Sequence, residues 1–105
     1  MTKIAEDKFN EAIRNSKPSV VMITSQFCGP CRIMKPVINR VAIKYPTVQF
    51  FEIEAEECTT DFTQELFIHK LPTTLIYSRE GVFSRRAEGL IPEKDLEVFI
   101  KEVSA

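Results

Sequence analysis

Apolar positions along this chain switch between helical and extended spacing, and the switches mark out its elements. Phe9, Ala12 and Ile13 recur at helical spacing, which predicts an amphipathic helix from about Glu6 to Asn15. Ser16-Lys17-Pro18-Ser19 then interrupts the pattern. Val20-Val21-Met22-Ile23-Thr24 is a continuous, largely β-branched run, the mark of a strand covered on both faces in a parallel sheet. Ile33, Met34, Val37, Ile38, Val41 and Ala42 return to helical spacing and predict a long helix ending near Lys44-Tyr45-Pro46. Pro36 falls inside it, removes one backbone hydrogen bond and predicts a kink.

Val48 to Ile53 reads as a second buried strand. Asp61, with Gln64 at the reciprocal position, is the expected cap of a short helix that turns Phe62 and Leu66 inward. Thr73 to Ser78 and Val82 to Ala87 flank Arg79-Glu80-Gly81, a hairpin in which Gly81 supplies the positive φ. Leu96, Phe99, Ile100 and Val103 form the apolar face of a closing helix. The order expected is β-α-β-α-β-α-β-β-α, an α/β sheet with helices on both faces.

Between the first buried strand and the long helix stands Phe27-Cys28-Gly29-Pro30-Cys31-Arg32. If Cys28 opens the helix, Cys31 lies one turn on and on the same face. The two Cα atoms are then at about 5.5 Å, a separation that a disulfide bridges. The first N–H groups of a helix have no intrahelical partner and its dipole is positive there, so a thiolate at Cys28 is stabilised. The thiolate is the attacking species, and the pair therefore reads as a switch between dithiol and disulfide. A zinc site would need two further ligands at close spacing. Cys58 and His69 stand too far apart in sequence to form such a pair, so no metal is expected.

Composition narrows the class. With 105 residues, 44% hydrophobic and 28% charged, the chain has the size and make-up of one globular domain, expected to span 1–105. A formal net charge of −1 gives no electrostatic reason to expect nucleic acid or an anionic membrane as partner. Three cysteines are too few for a disulfide framework, and the odd count fits a reducing compartment, so a cytoplasmic location is expected. Met1-Thr2-Lys3-Ile4-Ala5-Glu6-Asp7 turns acidic where a signal peptide would carry its apolar core, and no apolar run approaches a membrane span.

Cys28-Gly29-Pro30-Cys31, with an aromatic before it and a basic residue after it, resembles the active-site signature of the thioredoxins. Pro36 sits where that family has its helix-kinking proline, Leu71-Pro72-Thr73 resembles its cis-proline loop, and Gly89 resembles a glycine of its substrate groove. The resemblance covers essentially the whole chain. It implies a thioredoxin fold, with a central mixed β-sheet flanked by helices on both faces, and a protein-disulfide reductase that needs no cofactor. It also implies a mechanism. Cys28 attacks a client disulfide to give a mixed disulfide, and Cys31 then attacks Cys28, releasing the reduced client. Phe27, Gly29, Pro30, Leu71, Pro72 and Gly89 would receive the client, with Pro72 leaving backbone groups free for an extended segment. A thioredoxin reductase would supply the electrons, and the chain is expected to act as a monomer.

The sequence also departs from the family pattern. Met22 stands six residues before the nucleophile, where thioredoxins typically carry a buried Asp that helps take the proton of the second cysteine. The Lys that often accompanies it in that family falls at about Phe50, also apolar. General-base help of that kind is typically worth ~100-fold or more, so the resolving step is expected to be slowed or moved to higher pH. Phe27 replaces the Trp usual before the nucleophile, and Thr24 stands where another Trp is common.

Among the other residues, Cys58 lies among Glu54, Glu56 and Glu57, which disfavour its thiolate. His69 reads as a surface residue near the groove, and Arg85 and Arg86 as a solvated strand edge. Two further functions stay open at this level. One is an interaction subunit of thioredoxin fold with minor redox turnover. The other is a glutaredoxin-like enzyme, which the Gly-Pro pair disfavours because that family usually has Pro-Tyr between its cysteines.

Overall fold

The computed structural model describes residues 1–104, so the expected domain end at Ala105 lies outside the described residues. Five strands form one sheet in the order β1-β3-β2-β4-β5, with β1 at Thr2–Lys3, β2 at Ser19–Thr24, β3 at Gln49–Glu54, β4 at Thr73–Tyr77 and β5 at Phe83–Glu88. β1, β3 and β2 run parallel, while β4 is antiparallel to β2 and β5 to β4, so the sheet is mixed as expected. The leading strand, for which the apolar pattern gives no residues, is the two-residue β1 on the β3 edge. It is too short for periodicity to show.

β2 lies at the centre and all six of its residues are buried, which explains its lack of polar alternation. Its side chains point in turn to two apolar clusters. Val20 and Met22, with Phe50 and Ile76, pack under Cys31, Met34, Ile38 and Val41 of α2 (Gly29–Lys44) and Leu96 and Ile100 of α4 (Glu93–Ser104). Val21 and Ile23, with Ile53, Leu75 and Tyr77, pack against Phe9 and Ile13 of α1 (Phe9–Ile13) and against Phe62 of α3 (Thr60–Glu65). Phe9 meets Phe62 and Tyr77 edge to face, at 5.4 and 5.7 Å between ring centres.

Three local expectations change. The first helix divides into a 3-10 turn at Glu6–Lys8 and a short α1, because Glu6 turns away to hold Thr59, accepting from its N–H at 2.7 Å and its hydroxyl at 2.9 Å. α3 is capped by Thr59, whose Oγ1 accepts from Phe62 N–H, and not by Asp61, which lies inside the first turn. Pro36 lies inside the sixteen-residue α2, where its place in the sequence puts it. Arg85 and Arg86 are not simply solvated. Arg85 lies over the Phe99 ring and makes a two-point ion pair with Glu102, while Arg86 donates to the carbonyls of Leu66 and Phe67. The positive φ of Phe67 ends the α3 segment and leaves those carbonyls for the guanidinium.

Candidate active site

The site forms where β2 gives way to α2, at the carboxyl end of the central strand. Parallel strands present ligand sites there, because the helix that follows aims its free N–H groups at the same rim. Cys28 is the N-cap of α2, with Gly29 and Pro30 as its first residues, and its Sγ accepts from Cys31 N–H at 3.2 Å. Proline suits this position, since its missing N–H would have no partner there. Cys28 and Cys31 are disulfide-bonded, with Cα atoms 5.3 Å apart, close to the separation expected from their spacing. The two sulfurs differ in access. Cys31 is fully buried in the α2 cluster, whereas Cys28 is only partly covered.

Around the pair the residues singled out from sequence come together to different degrees. Phe27 is 86% exposed and stands out from the rim. A Cβ built at Gly29 would meet nothing, so that side of the pair is open to an approaching chain. The Leu71–Pro72 bond is cis, and Leu71 packs against the same cluster as Cys28 and Cys31. Leu71 itself makes no backbone hydrogen bond among the described residues, which leaves its N–H and C=O available to an added strand. Gly89 donates its N–H to Pro72 O at 2.8 Å and has φ +73°, and a side chain there would crowd Lys70. Gly89 and the proline loop are thus one structural unit. His69 is exposed next to that loop.

Several functional contacts had no signal in the sequence. The loop before Cys28 is tethered to the turn after β3. Gln26 donates its backbone N–H to Glu56 at 2.9 Å and its side-chain amide to Glu54 at 3.2 Å, and Arg32 closes the loop by donating to Gln26 O at 3.1 Å. The Gln26 amide and the Lys3 ammonium, which also meets Glu54, hold the Glu54 carboxyl below its ordinary range, with Lys3 the larger cause.

Behind the pair, Met22 is fully buried, at the position where the resemblance to thioredoxins leads one to expect a carboxylate. The residue opposite it on β3 is Glu52, not Phe50. Phe50, where the resemblance places the accompanying Lys, lies one strand period back on β3 and so on the same face. Phe50 pairs with Val20 and belongs to the apolar cluster. Glu52 makes an ion pair with Lys35, one turn after Cys31 on α2.

Cys58 lies outside the site. Its thiol is pushed up from 9.0 to about 11, mainly by burial and secondarily by Glu6, Glu57 and Glu56, and it donates to Glu54 O at 3.4 Å. A thiol so placed carries about 100-fold less thiolate at pH 8 than an ordinary one. In the oxidised protein, where Cys58 is the free cysteine, iodoacetamide labelling is expected to accelerate about 100-fold when the chain is unfolded in urea. Equal rates in the two states would contradict this reading.

Comparison with known proteins agrees with the geometry. The thioredoxin family model matches residues 1–102. The chain is 32% identical over 107 residues to thioredoxin from Pongo abelii, covering 98% of this chain and 99% of that one. It is 31% identical to a thioredoxin H-type from Fagopyrum esculentum, over 79% of this chain and 70% of that one. Against Thioredoxin domain-containing protein 2 from Mus musculus, at 32% identity, it spans only 18% of the larger protein. Among solved structures, oxidised mitochondrial thioredoxin 3 from Saccharomyces cerevisiae superposes with a TM-score of 0.83 at 25% identity, over 97% of this chain and 94% of that one. Fasciola hepatica thioredoxin superposes at 0.85 and 22% identity, over 99% of this chain and all of that one, a likeness of fold. A half-open cysteine at a helix N-terminus, bonded to a buried partner one turn on, carries the chemistry of a thiol-disulfide oxidoreductase, and with it this chain belongs to the thioredoxin family.

Proposed function

We propose that this oxidoreductase reduces disulfides in other proteins and is itself re-reduced by a thioredoxin reductase. The observation that carries this reading is the unequal access of the two sulfurs on an open rim. Only Cys28 can meet a disulfide from outside, and Cys31 can act only on what Cys28 has already captured. Phe27, the clear face of Gly29 and the free backbone of Leu71 suit an extended polypeptide, which is held through main-chain bonds and one aromatic contact. In the forward direction the Cys28 thiolate attacks one client sulfur and displaces the other as a thiolate. Cys31 then forms the Cys28–Cys31 bond and frees the client's second thiolate. The chain is expected to work as a monomer, because one protomer holds both sulfurs and the whole rim.

The test is insulin reduction coupled to NADPH through a thioredoxin reductase. Sustained NADPH consumption with precipitation of the insulin chains is expected, together with a reduction potential of about −270 mV, the reducing end of the family's range. If dithiothreitol reduces the Cys28–Cys31 bond but insulin does not turn over, the reading falls. The fold would then serve as a docking module.

A further inference from the structure

The sheet face beneath Cys31 carries a concentration of polar groups that an apolar core does not require. Around Met22 stand two buried hydroxyl oxygens with no hydrogen-bond partner among the described residues, and a buried carboxylate oxygen whose contact is the Lys35 ammonium. Glu52 Oε2 is opposite Met22 on β3, Thr74 Oγ1 is opposite it on β4, and Thr24 Oγ1 is two residues along β2. Paired residues and alternate residues of a strand share a face, so all three lie on the Met22 side, the side covered by α2 and Cys31. Leaving a buried oxygen without a partner is unfavourable, so each such group in a fold calls for an explanation.

Glu52 is the charged member of the three. Lys35, four residues after Cys31 and so on the same face of α2, holds its carboxylate in an ion pair through Oε2. The other charged groups of this face are engaged elsewhere. Glu54 is taken up by Lys3 and Gln26, and Glu93 and Glu97 are paired with Arg40 and Lys44 towards the far end of α2. α4 brings only Leu96 and Ile100 into the cluster as buried residues, and β4 brings Thr74 and Ile76. Cys31 has no contact with solvent, so its proton must leave through the protein.

We infer that Glu52 is the proton acceptor for Cys31 in the resolving step, that Lys35 positions it, and that this carboxylate on β3 does the work Met22 cannot do from β2. As Cys31 attacks, its S–H bond breaks and the proton passes to the Glu52 carboxylate along the hydroxyl-lined face. The Cys28–Cys31 bond forms, the bond from Cys28 to the client breaks, and the client sulfur leaves as a thiolate. No oxidant or reductant beyond the mixed disulfide is needed.

The inference rests on the two-step exchange proposed above, but it can be tested without a protein client. Reduced protein mixed with 5,5′-dithiobis(2-nitrobenzoate) releases one aryl thiolate as Cys28 is capped and a second as Cys31 resolves the cap, so the second phase isolates the step in question. Glu52→Gln keeps the shape of the side chain. At pH 7 it is expected to slow the second phase by roughly 100-fold relative to the first, and the residual rate should then climb with pH as an unassisted thiol titrates. Glu52→Asp should recover most of the rate, and Lys35→Met should fall between. A second phase within about twofold of wild type at pH 7 overturns the inference. So does a slower phase whose pH profile keeps the wild-type shape, because that would mark a packing defect. Failure of insulin turnover with a normal Glu52 dependence in this assay would strike the choice of protein clients and leave Glu52 in place.

Discussion

Cys31→Ser is expected to convert the protein from a catalyst into a trap. Cys28 keeps its place at the N-cap of α2 and still attacks, but the mixed disulfide then has no internal thiol to resolve it. An internal nucleophile held one turn away enjoys an effective concentration that external thiols cannot match, so turnover should drop by at least ~10³-fold at millimolar external thiol. The client should accumulate as a covalent adduct, visible by non-reducing electrophoresis and cleared by dithiothreitol. Cys28→Ser should abolish both adduct and turnover, because buried Cys31 cannot reach a client. The two variants therefore fail differently. If Cys31→Ser gave no adduct while Cys28→Ser did, the roles of the two sulfurs would have to be exchanged.

The second large effect is expected at Met22. Asp placed there enters a fully buried position directly across from the Glu52 carboxylate. An uncompensated buried charge costs roughly 3–5 kcal/mol, a large part of the 5–15 kcal/mol typical of a domain this size. Met22→Asp should therefore lower Tm by about 15–25 °C at pH 7. Burial and the neighbouring Glu52 both disfavour the charged form, so the folded-state pKa of the new Asp lies above its unfolded value. The folded state then binds more protons than the unfolded one, and stability falls as pH rises through this window. The deficit relative to wild type should be small below the unfolded pKa, near pH 3.9, and fully developed above the folded one. Urea denaturation of both proteins at pH 4 and pH 7 measures it. A deficit independent of pH would show that the cost is steric.

The same variant also bears on rate. A carboxylate at position 22 should speed the resolving step modestly in the native background, where Glu52 already serves. It should do so strongly in a Glu52→Gln background.

The family of this chain was legible because its markers are local. Two cysteines three apart, a proline at the helix start and Leu71-Pro72-Thr73 before a strand each depend on backbone geometry within a few residues. Burial on both faces made β2 readable as an unbroken apolar run, and the long spacing of α2 and α4 did the same for the helices. The weaker boundaries belonged to elements set by distant partners. Glu6 reaches across to Thr59 and thereby shapes both the first helix and the cap of α3, a contact spanning 53 residues. Arg86 was read as a solvated edge because the carbonyls that it binds belong to another segment.

Sequence alone therefore determined the redox pair, the order of elements and the absence of a carboxylate at position 22. All of these are properties of neighbouring residues or of side-chain type. Only the tertiary structure decided which cysteine is buried and that the loop before Cys28 hangs on Glu54 and Glu56. It also decided that Glu52, rather than Phe50, faces Met22. Strand register is fixed by the packing of whole faces, and a count along the chain cannot supply it. A carboxylate absent from position 22 of β2 stands one strand over, on the same face and paired with Lys35 of α2, because parallel pairing brings positions thirty residues apart onto one face.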